Sequence, residues 1–303
     1  MPGLFFDNWD TPVFRPPSES DSFILRVTRG CAHNSCTYCN MYRGVKFEKL
    51  SDDEIMRQIA MAYSVDRDGV RRVFLADGDA LVLPTERLLR ILETLRKYFP
   101  NLTRVSSYAA PGDILRKSID ELKQLKEAGL TMLYYGMESG DSKTLKDIRK
   151  GVNGEQSIEV GKRVRAAGMD LSIMIILGIA GAPGSMRHAL ATAQAINEIK
   201  PTYLSALSLM LYRGSELKAQ FERDEFTPLP PYGLMEELKV IIEHLELPET
   251  DPMVFRSNHV SNYIRLAATL PRDKEKLLED IDASIRYLKQ QKNWDIYNHD
   301  WSK

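Results

Sequence analysis

The sequence predicts an α/β fold built from six strand–helix units, closing into a partial barrel or lying as an open parallel sheet. Three observations predict it. Six apolar segments of strand length recur along the chain, most of them near-continuous apolar runs, as parallel strands covered on both faces require. A helix pattern follows each, giving a spacing of about 30 residues, the length of a right-handed βα unit. The intervening helices carry their own start and stop signals.

The strands are expected at residues 23–28, 72–76, 103–108, 132–136, 171–177 and 203–209. Ser51-Asp52-Asp53-Glu54 reads as a capping box ahead of Ile55, Met56, Ile59 and Tyr63. Ser118-Ile119-Asp120-Glu121 is a second, and Gly129 closes its helix. A third helix, 156–167, ends at Gly168, and a fourth, 184–199, is stopped by Pro201. A full eight-fold barrel needs two further strands, and the pattern offers none. Residues 1–21, rich in Pro, Asp and Ser, are expected to wrap a surface. Past Leu211 the alternation stops. Thr227-Pro228-Leu229-Pro230-Pro231-Tyr232-Gly233 reads as a loop, and 234–245 and 273–290 read as helices. The expected division is therefore a wrap at 1–21, a core at 22–214, and a mainly helical extension at 215–303 that covers the substrate.

The 303 residues are 43% apolar and 27% charged, with 41 Lys and Arg against 42 Asp and Glu, a net charge of −1. A chain so balanced has no global electrostatic reason to hold nucleic acid. The longest apolar run, 173–182, falls short of the roughly 18 residues a membrane helix needs. Met1-Pro2-Gly3-Leu4-Phe5-Phe6-Asp7 lacks the basic and apolar regions of a signal peptide. The expected location is the cytosol, with no membrane partner.

The three cysteines, Cys31, Cys36 and Cys39, all lie in one loop after the first strand. An odd, clustered set is a poor disulfide framework and reads as metal ligands. A zinc loop would need a fourth ligand, for which His33 is available. A [4Fe–4S] cluster held by three thiolates would keep one iron open for substrate or cofactor.

The stretch Gly30-Cys31-x4-Cys36-Thr37-Tyr38-Cys39 resembles the signature loop of the radical S-adenosylmethionine (radical SAM) superfamily. The family's usual spacing is Cys-x3-Cys-x2-Cys with an aromatic residue before the last cysteine. Tyr38 fills that place, and the first gap is one residue longer here. Asp77-Gly78-Asp79-Ala80 after the second strand resembles the family's Gly-Gly-Glu-Pro turn, which contacts the SAM ammonium group. Ser107 and Tyr108, ending the third strand, stand where related enzymes place a polar contact to SAM. Tyr135-Gly136-Met137-Glu138-Ser139-Gly140, followed by Lys150-Gly151, resembles the Gly-x-Glu-Ser-Gly…Lys-Gly stretch of the methylthiotransferase and Elongator branch. It is also similar to the Gly-x-Gln-Ser…Arg stretch of the oxygen-independent coproporphyrinogen oxidase. Glu138 would reach the SAM ribose or ammonium, and Lys150 the carboxylate, with Ser139 beside them. The fifth strand and its glycine turn, 173–181, resemble the segment beside adenine, where backbone groups from Ile175 through Leu177 to Gly178 would read the edge of the base. Met174 stands where the coproporphyrinogen enzyme carries Asp.

The resemblance covers about residues 22–212 and implies a partial (β/α)6 barrel with an α-rich C-terminal extension. It implies a [4Fe–4S] cluster on Cys31, Cys36 and Cys39, S-adenosyl-L-methionine as second cofactor, and an electron donor such as flavodoxin or ferredoxin. The implied chemistry is oxygen-sensitive reductive cleavage of SAM to a 5′-deoxyadenosyl radical that abstracts hydrogen from a substrate, expected to be a small molecule. With no further cysteine, a second cysteine-ligated cluster is not expected, which argues against methylthiotransferases and multi-cluster maturases. The twenty-one residues before the first strand are too few for a cobalamin-binding domain. A coproporphyrinogen-oxidase-like role, an RNA-modifying role and a non-catalytic zinc-loop barrel stay open as alternatives. Of the five histidines, His188 and His259 are the candidate general bases, with His188 in a helix pattern that favours a surface position. Tyr134, Tyr135, Tyr212 and Arg213 lie near strand ends and could line the pocket, and none is assigned a catalytic role. The polar segment 255–263 reads as the start of a helix or as a contact to substrate or SAM.

Overall fold

The computed structural model describes residues 3–7 and 11–291. The parts of the expected N-terminal wrap at 1–2 and 8–10, and of the C-terminal extension at 292–303, lie outside the described residues.

In chain order, a 3₁₀ turn at Pro17–Glu19 leads to β1 (Phe23–Arg26), β2 (Thr28–Arg29), β3 (Glu48–Lys49), α1 (Asp52–Asp66) and β4 (Arg72–Ala76). A second 3₁₀ turn, Ala80–Val82, precedes α2 (Thr85–Tyr98), β5 (Arg104–Tyr108), α3 (Pro111–Arg116), α4 (Ile119–Glu127) and β6 (Leu130–Glu138). Then come α5 (Ser142–Asp147), α6 (Gly154–Ala166), β7 (Asp170–Leu177), α7 (Gly181–Ile199), β8 (Tyr203–Ser208) and α8 (Glu216–Glu222). The described chain closes with α9 (Pro231–Glu243), β9 (Met253–Arg256), β10 (Ala267–Leu270) and α10 (Lys274–Gln290). One sheet carries eight strands in the order β1-β4-β5-β6-β7-β8-β9-β10, and β2 and β3 form a separate ribbon. β1/β4, β4/β5, β5/β6, β7/β8 and β8/β9 are parallel, whereas β10 runs antiparallel to β9.

All six expected strands are present, and both capping boxes close as read, Ser51 with Glu54 and Ser118 with Glu121. The extension is less purely helical than its pattern suggested, because β9 and β10 join the sheet. Each spans four residues and alternates buried with more exposed positions, too short a signal to stand out from a loop. The segment 255–263 is therefore a strand end and loop. Pro231-Tyr232-Gly233 belongs to the first turn of α9, where Pro at the helix start forfeits no hydrogen bond. Among the described residues no helix is long and apolar enough to cross a membrane.

The chain divides into two compact units, a division that cuts across the expected core of 22–214. One comprises Met1–Asn34, Met41–Tyr135 and Arg163–Leu171. Within it the wrap segment reaches the interior. Phe5 bridges Ile24 in parallel, and the fully buried Asp7 pairs with Arg26 at 3.2 Å, Arg29 at 3.1 Å and Arg57 at 3.4 Å. Arg26 is itself fully buried. The other unit comprises Ser35–Asn40, Gly136–Lys162 and Ser172–Lys303. In it β7 and β8 pair along their length, and α9 packs against both α7 and α10.

Removing one member of a buried ion pair strands the other charge, at a cost of about 3 kcal/mol. Asp7→Ala is therefore expected to lower the urea unfolding free energy by about 3 kcal/mol. A loss under about 1 kcal/mol, the range of an exposed pair, would contradict this account of the wrap.

Candidate functional site

In the first unit, the cysteine loop is closed at its base by the β2–β3 ribbon, which pairs Thr28 with Lys49 and Arg29 with Glu48. Asp77, directly after β4, fixes this base from below. Its fully buried carboxylate accepts from the Tyr42 hydroxyl at 2.5 Å and the Gly30 N–H at 3.4 Å, and pairs with Arg26 at 3.3 Å. Its own N–H donates to Thr28 Oγ1 at 3.3 Å. Gly30 precedes Cys31 and has φ +76°, a conformation that favours glycine. Gly78 is the partly exposed residue of the Asp77–Gly78–Asp79 turn, and a Cβ there would lie 2.7 Å from the Tyr42 ring. The turn thus offers main chain rather than side chain.

Asp79 is buried, with Oδ1 lacking a hydrogen-bond partner. Burial, and then the Asp113 carboxyl beside it, push Asp79 up to about 9. The two carboxyls favour sharing a proton over both ionising. Ser107 is fully buried, and its hydroxyl is directed to the carbonyls of Leu75 at 3.3 Å and Tyr108 at 2.8 Å. Tyr108 packs edge-on against Phe74. Tyr134 is buried and donates to Glu19 Oε1 at 2.6 Å, and Tyr135 has no exposed surface, so neither serves a pocket.

In the second unit, three expected residues come together. Lys150 Nζ lies 2.9 Å from Glu138 Oε1, and the Tyr38 hydroxyl hydrogen-bonds the same carboxylate. Burial first, then Glu138, raise Tyr38 well above the ordinary phenol value. The Tyr38 ring packs against the apolar cluster that Leu145, Ile148, Ile176, Ile179, Leu209, Leu211 and Leu217 form. The loop segment is docked through Thr37, whose N–H donates to Ile148 at 3.0 Å and whose carbonyl accepts from Leu217 at 3.0 Å. Glu138 has φ +66°, and a Cβ at Gly136 would lie 2.3 Å from Glu138 Oε1. Cys31, Cys36 and Cys39 form no disulfide and are each partly exposed.

Gly140 has a clear steric cause. Its N–H donates to Thr192 Oγ1 at 3.0 Å, and a Cβ would sit 2.2 Å from the Ala191 carbonyl oxygen of α7. Ser139 is fully buried and lies 2.7 Å from His188 Nδ1. His188 is fully buried too, not on the surface its helix pattern suggested, because α9 covers that face of α7. Ile175 and Leu177 are core side chains, and Gly178, at φ +81°, donates its N–H to Glu237 at 2.7 Å. The 255–263 loop is tied to β8: Asn262 donates to the Ala206 carbonyl at 2.8 Å and accepts from Ser208 at 2.9 Å. His259 stays within its loop, beside Ser261 at 2.8 Å. Tyr42, Asp113 and Glu237 went unnoticed in the sequence. None carries a motif, and only the tertiary contacts give them a role.

Among the described residues no three His, Cys, Asp or Glu side chains converge on a position for a single ion. A zinc site draws four ligands to within about 2.3 Å of one point. A four-iron cluster takes its thiolates on separate irons. The donor set suits the cluster better than the ion.

Residues 25–191 match the family described as the Radical SAM superfamily. The chain is 30% identical over 175 residues to the tRNA-2-methylthio-N(6)-dimethylallyladenosine synthase of Dehalococcoides mccartyi, covering 56% of this chain and 40% of that enzyme. Across the curated relatives it matches, the chain spans between 23% and 40% of their length. Coproporphyrinogen III oxidase of Escherichia coli superposes with a TM-score of 0.55 at 16% identity, over 73% of this chain and 52% of that one. A radical SAM methyltransferase of Kitasatospora setae, solved with cobalamin and a [4Fe–4S] cluster, gives 0.55 at 14%, over 73% and 44%. At these identities the superpositions show a shared fold.

Two predictions follow from the second unit. Gly140→Ala forces a methyl onto the α7 backbone and is expected to cost about 3 kcal/mol of stability, read by urea unfolding; a neutral substitution would mean the contact relaxes freely. The second concerns pH. Burial pushes Glu237 up to about 7 from 4.5, so its contribution to stability is full below pH 4.5 and lost as pH rises to 7. Burial pushes His188 down to about 4 from 6.5, so its contribution is full above pH 6.5 and lost as pH falls to 4. The two oppose each other in the wild-type chain. Glu237→Gln removes one, and the wild-type advantage over it is expected to fall by about 3 kcal/mol between pH 4.5 and pH 7. A difference that stays flat across this range would contradict the assignment.

Proposed function

The chain belongs to the radical SAM superfamily and is an enzyme of that family; from this premise we propose that it uses one [4Fe–4S] cluster and SAM to abstract hydrogen from a small-molecule substrate. When bound, these cofactors supply a one-electron cleavage of the sulfonium to methionine and a 5′-deoxyadenosyl radical. Cys31, Cys36 and Cys39 would hold the cluster. The observation that carries the reading is the meeting of Tyr38, Glu138 and Lys150 on one carboxylate, from segments far apart in sequence.

That arrangement pairs an anion with a cation, the complement of an amino-acid zwitterion. Glu138 suits an ammonium group and Lys150 a carboxylate, while Tyr38 holds Glu138 in place. Lys150 acts as a point charge and not as a planar fork. The Asp77–Asp79 turn would contribute through the main chain at Gly78, its partly exposed residue, with Asp79 buried beside it. Gly178 and the strand leading to it would bound the adenine. Ser107, spent on main-chain carbonyls, takes no part. The physiological reductant would be a small electron carrier of the flavodoxin or ferredoxin kind.

The likeness to a tRNA-modifying enzyme favours a second reading, an RNA substrate. The charge balance of −1 counts against it. Anaerobic reconstitution with iron and sulfide, then dithionite and SAM, tests the main reading. About four irons per chain and formation of 5′-deoxyadenosine are expected, both lost in Cys36→Ala. Retained SAM cleavage in Cys36→Ala, or an intact cluster without cleavage, would overturn the reading. Salt-dependent binding of tRNA by the same preparation would move the substrate class to RNA.

A further inference from the structure

One acidic side chain outside the matched residues 25–191 reaches the motifs inside them. Glu237, on α9, is buried. Its Oε1 accepts from the Gly178 N–H at 2.7 Å, and its Oε2 accepts from Ser185 Oγ at 2.5 Å. Leu234, one turn earlier on α9, lies against the same glycine: a Cβ on Gly178 would fall 2.7 Å from Leu234 Cδ2. Oε1 also faces His188 Nε2 at 3.6 Å, and His188 Nδ1 meets Ser139 Oγ at 2.7 Å. Ser139 Oγ accepts from the Asp141 N–H at 3.0 Å. Ser139 Oγ thus meets both the Asp141 N–H and the His188 ring.

Ser, His and an acid are the residue types of an acyl-transfer triad. Here Ser139 and His188 have no exposed surface, so no substrate reaches the hydroxyl. What Glu237 does is join two segments to α9: its carboxylate takes up the turn after β7 through the Gly178 N–H and the start of α7 through Ser185.

We propose that Glu237 is a positioning residue for SAM, setting the Gly178 turn through its N–H and tying it to the start of α7 through Ser185. The inference rests on the reading that this turn holds the cofactor. A Gly178 N–H bonded to a buried carboxylate has one direction; without it, the left-handed glycine turn is free to choose others. The C-terminal extension then acts on cofactor geometry as well as covering substrate.

The test uses the reconstituted holoenzyme, with SAM as probe. Glu237→Ala is expected to keep its iron and bind SAM about tenfold more weakly by equilibrium dialysis, the loss of one charge-assisted hydrogen bond. The change that SAM makes in the EPR spectrum of the reduced cluster is expected to weaken in parallel. Glu237→Gln keeps an oxygen for Gly178 and an amide N–H for Ser185, and is expected to restore most of the affinity. Wild-type SAM affinity and an unchanged EPR response in Glu237→Ala, at full cluster content, would overturn the proposal. If Glu237→Ala does not fold, Ser185→Ala decides the matter: weaker SAM binding supports the proposal and unchanged binding overturns it. A wild-type holoenzyme that binds no SAM sinks the cofactor reading itself, a result distinct from either.

Discussion

The carboxylate of Asp77 has no exposed surface, and it stands at the base of the cysteine loop. A buried charge is tolerated only when its lone pairs are taken up. Arg26, Gly30 and Tyr42 take them up, and each is a fixed point of the loop's surroundings: the end of β1, the residue before Cys31, and the chain just past Cys39. The wrap segment belongs to the same arrangement, since Asp7 shares the buried Arg26. Desolvation thus becomes a positional constraint. Any shift of the loop base would leave a charge or a donor unpaired inside the first unit.

The second unit solves a similar problem with another acid. Glu138 is held by Lys150 and Tyr38, and Glu237 by Gly178 and Ser185. Around them close backbone approaches exclude a Cβ, at Gly136 and Gly140 in particular. The glycines of the Gly-x-Glu-Ser-Gly stretch therefore have separate causes. One makes room for the carboxylate two residues on, and the other lets the α7 backbone pass. The motif is a packing specification as much as a chemical one.

What was legible in the sequence was local. Apolar runs gave the six parallel strands, and two capping boxes gave helix starts, because both signals lie within a few neighbouring residues. The cysteine loop, Glu138 and Lys150 were legible as a resemblance, and the side-chain geometry sets Glu138 and Lys150 face to face. β9 and β10 escaped because four residues of alternation are too few to read. His188 was misplaced because α7 is covered by α9, a contact that no helical pattern in 181–199 announces. Ser107 stood out by its place at the end of the third strand, where related enzymes put a polar contact, and no local pattern shows that its hydroxyl lies toward the carbonyls of Leu75 and Tyr108. Glu237 and Tyr42 carried no motif at all, since their importance is wholly one of tertiary contact.

Asp79 shows how far a motif position can keep its place and change its chemistry. A shorter acid replaces the family's glutamate, and its carboxyl turns inward to Asp113. Two carboxyls this close in a desolvated site cannot both ionise, so one retains its proton. The turn then loses an anion but keeps its main chain, with Gly78 pressed against Tyr42 and partly exposed. Within the second unit the acid of the neighbouring motif keeps its place by other means: Tyr38 and Lys150 hold the Glu138 carboxylate in one orientation. Whatever fixes the segments on either side of Glu138 thereby acquires leverage over that ion pair.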